Sequence, residues 1–311
     1  MTIEVIPMRN IGVEIRGVNI NKLDDPDQQR QLYEAWLEHG VLLFRGIGTS
    51  PDIHRALTRC FGPLEEQEEV LTELRVDGEK GVIAVERGGK PGIPSYYVGD
   101  EIVGWQQLVT GIVFWHIDTI FTPTICRGGM LRMIEACKTG GNTGWIDTIK
   151  IYDALPEEMR RRIDKLEVRH CLRCDLTGIP FGVPEATREA SMEVVPYERI
   201  PMPVLPEVVH PLVLTHPESG RKALAISPQS IIGIVGMSRE ESDELLSTLV
   251  SFTLRRENMF IHHWEKNDMV LWDNRRMLHC GMGHPPSEKR VAHRTTLAGG
   301  MNTGRIYQEK Q

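Results

Sequence analysis

Apolar residues along this chain gather in short runs separated by turn residues, a spacing that predicts a mainly extended architecture. The runs are GVLLFRGI, GMLRMIEA (129–136), HPLVLTH (210–216), KALAISP (222–228), DMVLWDN (268–274) and RTTLAGG (294–300). Between HPLVLTH and KALAISP lies PESGR, a glycine-containing loop of hairpin length. Helical periodicity is confined to a few segments. Pro26 to His39 is amphipathic and stops before Gly40, and Ser238 with Glu241 forms a capping box ahead of Leu245, Leu246, Leu249 and Val250. A third helix is predicted to start at Asp153, in DALPEEMR. No repeat, low-complexity tract or linker divides the chain, so residues 1–311 are expected to form one domain. Many strands with a few covering helices predict a mainly β sandwich or jelly roll with helical decoration.

Composition narrows the setting. Hydrophobic residues make up 41% of the 311, enough for a packed core. A net charge of -7 without a basic block argues against nucleic acid and anionic membranes as partners. No segment approaches the roughly 18 apolar residues of a membrane span, and no leader pattern opens the sequence, so a soluble, cytoplasmic protein is expected. Cys60, Cys126, Cys137, Cys171, Cys174 and Cys280 are scattered, as free thiols in a reducing compartment would be. Cys171 and Cys174 lack a second pair at zinc-finger spacing and read as ordinary strand cysteines.

Candidate chemistry begins with FWHIDTIF, from Phe114 to Phe121. In an extended segment His116 and Asp118 point to the same side, and an imidazole beside a carboxylate suits Fe(II), Mn(II) or Zn(II) once a third ligand arrives. The same spacing recurs at His216 and Glu218 and at His263 and Glu265, in a chain with 11 histidines. A third ligand should be a histidine anchored downstream of a hydrophobic strand, and DMVLWDNRRMLH supplies His279. Arg290 and Arg294, four apart on the next strand, share a face. Their forked guanidiniums imply two anions, or one anion and one structural ion pair.

FWHIDTIF, TGGNTGWIDT, GRKALAIS, LWDNRRMLH and RVAHRTTLAG follow one another in the order and approximate spacing of the taurine dioxygenase and chlorophenoxyacetate dioxygenase family, from about Val41 to about Gly299. The chain resembles that family, which uses Fe(II), 2-oxoglutarate and O2. The resemblance implies a double-stranded β-helix, or jelly roll, with its metal-binding core at about 110–300. It implies decarboxylation of 2-oxoglutarate to succinate and CO2, coupled to hydroxylation of a substrate C–H bond. His116, Asp118 and His279 resemble the iron ligands; three protein ligands leave three positions for a chelating keto acid and dioxygen. Arg290 resembles the arginine that holds the distal carboxylate of 2-oxoglutarate, Thr143 the hydroxyl that shares it, and Arg294 the arginine that holds the substrate acid. Phe114, Trp115 and Ile117 are candidates for keeping water from the reacting centre. The competing pairs then read as a turn opened by Pro217 and a solvated strand end in HHWEKND. A halogenase would lack the Asp118 carboxylate.

The resemblance also has limits. Where the taurine enzyme carries a sulfonate-gripping histidine, this chain reads FGPLEEQEEVLTEL, so a carboxylate is favoured over a sulfonate or sulfate ester. The insert at about 87–114 carries glycines, prolines, Tyr96, Tyr97 and Trp105 and is expected to act as a mobile lid. Its aromatics favour a bulky or aromatic carboxylic acid, whose hydroxylation next to an oxygen would lead to C–O cleavage. They would equally serve to pack the lid on the barrel. A small organic acid is the expected partner, and the enzyme is expected to form a homo-oligomer, dimer or tetramer. A metal-binding jelly roll without oxygenase activity is the more distant alternative.

Overall fold

The runs VLLF and MVLW are apolar at every position because both faces of each strand are covered. Leu42 and Phe44 enter one apolar cluster while Val41 and Leu43 enter another, and Met269 and Leu271 separate from Val270 and Trp272 in the same way. In the computed structural model, which describes residues 2–48, 50–65, 81–87, 95–98, 107–173, 176–184, 187 and 205–308, these strands pair antiparallel within a seven-stranded sheet. Its order is Glu4–Pro7, Val13–Arg16, Val41–Phe44, Met269–Asp273, Gly128–Glu135, Arg290–Leu297, Ile83–Arg87. A five-stranded sheet runs Phe260–His262, Thr143–Asp147, Met277–His284, Gln107–His116, Ser95–Val98.

Three apolar layers result, and the mainly β jelly roll expected from the strand runs is what forms. Trp145, Met277, Val270 and Trp272 join the two sheets face to face. Leu32, Trp36 and Leu57, from helices Pro26–His39 and Pro51–Arg59, cover the outside of the larger sheet. Leu278, Cys280 and Met282, on the back of the smaller sheet, share a cluster with Leu245, Leu246 and Leu249 of helix Arg239–Thr253, which opens with the predicted capping box at Ser238. No helix among the described residues is long and apolar enough to cross a membrane.

Several boundaries differ from the sequence expectation. The helix predicted to start at Asp153 is two helices. Thr148–Ala154 is capped by the Asp147 carboxylate, and Glu157–Ile163 follows Pro156, because the residue before a proline is pushed out of the helical region and Leu155 is extended. HPLVLTH divides at Leu212 into Val208–Pro211 and Val213–Thr215, which enter different sheets; the second forms the predicted hairpin with Lys222–Leu224. Within the insert expected as a loop, Ser95–Val98 pairs with Gln107–His116 as an edge strand.

Arg276 ties three of these elements together at one end. Its guanidinium pairs with the Asp147 carboxylate, Nε donating to Oδ1 at 3.2 Å, and Nη1 donates to the Leu37 carbonyl of helix Pro26–His39 at 3.0 Å. Both charged side chains are buried. Removing one partner of such a pair leaves an uncompensated charge. Asp147→Asn, which keeps a helix-capping oxygen, is therefore expected to cost about 3–5 kcal/mol of stability, measured as a lower urea midpoint.

Candidate active site

Two strands of the smaller sheet set histidines opposite one another. His116, the last residue of Gln107–His116, is the register partner of His279, and their rings lie 4.1 Å apart between centroids. A β-bulge follows between His279 and Gly281, a local kink that re-aims side chains. Asp118 lies just beyond the strand and returns its carboxylate between the rings. Oδ1 is 3.4 Å from His116 Nε2, and Oδ2 is 3.3 Å from His279 Nε2. One ligand atom from each of the three residues falls within 4.8 Å of the others, the one such group found among the described residues.

The remaining ring nitrogens explain which atoms are offered. His116 Nδ1 lies 2.7 Å from the Phe114 carbonyl and His279 Nδ1 lies 3.3 Å from the Met277 carbonyl. A carbonyl only accepts, so each Nδ1 carries a proton, and in the neutral imidazole Nε2 is then the atom with a lone pair to offer. Burial, followed by the neighbouring His116, lowers the His279 pKa and favours its neutral form. Burial alone would push the Asp118 pKa up. The Arg294 guanidinium outweighs it and holds Asp118 well below the usual carboxylate range. Asp118 Oδ2 is buried and accepts no hydrogen bond among the described residues, although Arg294 Nη2 stands 3.0 Å away. Two imidazoles whose Nδ1 atoms are committed to main-chain carbonyls and a carboxylate with an unsatisfied buried oxygen fit a divalent first-row metal that keeps open positions.

Arg290 and Arg294 separate along the layer between the sheets. Arg294 lies over the Trp272 ring at 5.5 Å and donates from Nη1 to Asp118 Oδ1 at 3.3 Å. Arg290 lies over the Trp264 ring at 5.9 Å and donates from Nε to the Gly141 carbonyl at 2.9 Å. The glycines of TGGNTG have a physical reason here. Gly141 has φ +65°, and a Cβ on it would stand 3.2 Å from Arg290 Cδ and 3.1 Å from Cys137 Sγ. Thr143 is buried at the start of Thr143–Asp147, and its hydroxyl accepts from Trp264 Nε1 at 2.9 Å.

Trp264 is a residue that sequence reasoning missed. HHWEKND is only half solvated: His263 and Glu265 are exposed, but His262 and Trp264 alternate inward, and that period of two was the available signal. His216 does open a turn, yet it is buried against Asp273. Phe114, Trp115 and Ile117 correct another expectation. They belong to the cluster with Cys280 and Met282 behind the smaller sheet, while Trp145 and Trp272 are the aromatic neighbours on the His279 side. Asn274, also missed, hydrogen-bonds the main chain of Asp118. Tyr96 and Tyr97 take register positions opposite Val109 and Leu108; their side chains, Trp105, Cys174 and residues 66–80 lie outside the described residues.

Comparison with known proteins accords with this geometry. The chain is 30% identical over 288 residues to "(S)-phenoxypropionate/alpha-ketoglutarate-dioxygenase" of Sphingobium herbicidovorans, covering 93% of this chain and 92% of the relative. It is 28% identical over 303 residues to "Alkylsulfatase" of Acinetobacter baylyi, covering 94% and 84%. The crystal structure of AAD-2 in complex with Mn(II) and N-oxalylglycine superposes with a TM-score of 0.72 at 25% identity, covering 99% of this chain and 100% of that one. The family described as "Taurine catabolism dioxygenase TauD, TfdA family" matches residues 4–296, and the chain belongs to this family of 2-oxoglutarate-dependent iron dioxygenases.

Proposed function

We propose that this enzyme oxidises a bulky organic carboxylic acid of the aryloxyalkanoate kind, hydroxylating a carbon that bears an ether oxygen so that the C–O bond then breaks. One observation carries the reading. The His116, Asp118 and His279 ligand atoms converge within 4.8 Å, and the Arg294 fork stands 3.0 Å from that same carboxylate. An acid group gripped by Arg294 would keep its neighbouring carbons beside the metal. In this reading His116, Asp118 and His279 hold Fe(II), which when bound supplies oxygen activation with 2-oxoglutarate as the electron donor. Arg290 and Thr143 receive the distal carboxylate of 2-oxoglutarate. Trp264 donates to the Thr143 hydroxyl oxygen, so the hydroxyl proton is left to point at that carboxylate. Trp145 and Trp272 make the surrounding layer apolar.

The phenoxypropionate relative supports the aryloxy acid. The alkylsulfatase relative supports a second reading, a sulfate ester dioxygenase, since an arginine fork receives sulfate as readily as carboxylate. Tyr96, Tyr97 and Trp105 are proposed to touch the bulky part of the substrate. The whole chain is taken as one domain, working as a cytoplasmic homo-oligomer, dimer or tetramer, a state that light scattering would measure.

Incubating the Fe(II) enzyme with 2-oxoglutarate and a panel of phenoxyalkanoic acids and alkyl sulfates tests the reading. Phenol release matched by succinate is expected from the acids; turnover of the sulfates alone would replace this substrate class with the second. Three sets of variants follow. His116→Ala, Asp118→Ala and His279→Ala are each expected to lose tight metal binding and coupled succinate release, read by Mn(II) titration and by the visible absorption of the anaerobic Fe(II) and 2-oxoglutarate mixture. Arg290→Lys keeps the charge without the fork and should raise the KM for 2-oxoglutarate about tenfold, with a smaller rise for Trp264→Phe and little change in metal affinity for either. Arg294→Gln should raise the KM for the acid substrate and uncouple decarboxylation from hydroxylation; an effect confined to 2-oxoglutarate would place the substrate acid elsewhere.

A further inference from the structure

Among the described residues Asp118 pairs with no strand, because Gln107–His116 ends before it. The chain then turns sharply. Thr119 has φ +57°, a left-handed conformation that a β-branched residue adopts at a cost. A single buried carboxamide replaces the missing strand. Asn274 Oδ1 accepts from the Asp118 N–H at 2.9 Å, and Asn274 Nδ2 donates to the Asp118 carbonyl and to the Cys126 carbonyl, both at 3.0 Å. Thr119 Oγ1 accepts from the Cys126 N–H at 2.7 Å, closing the loop on the same amide.

Asn274 is itself braced on both sides. Asp273 Oδ1 accepts from Arg275 Nε at 2.8 Å, and Arg275 Nη1 reaches Glu218 Oε1 at 2.5 Å. His216 Nδ1 accepts from the Glu218 and Ser219 N–H groups at 3.3 and 3.1 Å, so its proton sits on Nε2 and is donated to Asp273 Oδ2 at 2.8 Å. The 216–218 turn is thereby fastened to the residues flanking Asn274. We propose that Asn274 is the positioning residue for the metal carboxylate, gripping the Asp118 main chain on both sides, with the 216–218 turn as its brace. The proposal rests on the reading of His116, Asp118 and His279 as metal ligands.

Asn274→Asp is nearly isosteric and keeps an acceptor for the Asp118 N–H, but it turns lone pairs toward two carbonyls that now receive hydrogen bonds. Mn(II) affinity, followed by the EPR signal of the free ion, is expected to fall about 10–100-fold in a protein that still shows wild-type circular dichroism. Glu218→Gln, at the outer end of the brace, should lose about tenfold or less. Asp147→Asn, destabilised at the Arg276 ion pair and not at the amide that holds Asp118, should keep wild-type Mn(II) affinity. A folded Asn274→Asp protein with wild-type Mn(II) affinity overturns the proposal, as does an equal loss in Asp147→Asn. Should Asn274→Asp not fold, Glu218→Gln decides: weakened Mn(II) binding supports the brace, and unchanged binding overturns it. His116→Ala separates the underlying reading. If it retains Mn(II), the metal site is wrong; if it loses Mn(II) while Asn274→Asp does not, only the positioning role fails.

Discussion

An ionised carboxylate held inside an apolar layer is the constraint around which this molecule is arranged. Asp118 lies between two sheets whose facing surfaces are largely tryptophan and aliphatic side chains, where an unpaired charge would not survive. Its ionisation depends on the Arg294 guanidinium beside it. Its direction depends on Asn274. Charge compensation and geometry therefore come from different residues, and Asp118 Oδ2 remains without a hydrogen-bond partner among the described residues.

The same layer sorts the two arginines. Four positions apart on one strand, they share a face but meet different partners: Arg294 reaches the Asp118 carboxylate, and Arg290 reaches the glycine turn and Trp264 beside Thr143. Trp264 and Trp272 each lie within 6.5 Å of Trp145, ring centre to ring centre, so the two stations are joined by one aromatic floor. A keto acid chelating the metal and reaching Arg290 would run along that floor. The substrate acid would meet Arg294 at the metal end. This division follows from strand periodicity and from which tryptophan underlies each guanidinium.

Much of the site was legible before the structure. The strands announced themselves as turn-bounded apolar runs, the candidate ligands His116 and Asp118 shared one short segment, and His279 followed the run DMVLWDN. The resemblance carried by five motifs suggested roles for the arginines and Thr143. What could not be read were contacts between positions far apart in the chain. Trp264 was hidden in a polar run where only alternate residues face inward, and Asn274 lay unremarked within LWDNRRMLH. Phe114, Trp115 and Ile117 were misassigned because adjacency in sequence to a ligand was taken for adjacency in space, whereas they pack behind the sheet.

The sequence by itself determined the class of structure and the candidate donor residues, because apolar periodicity and ligand chemistry are legible in short segments. Tertiary structure alone decided which face each side chain occupies beyond the bulge, which nitrogen of each histidine is offered, and what holds Asp118 in place. Those depend on strand register and on the 156 residues that separate Asp118 from the amide beside it. A hydrogen bond across such a distance leaves no periodic trace in either segment, since its geometry exists only once both sheets have closed around it.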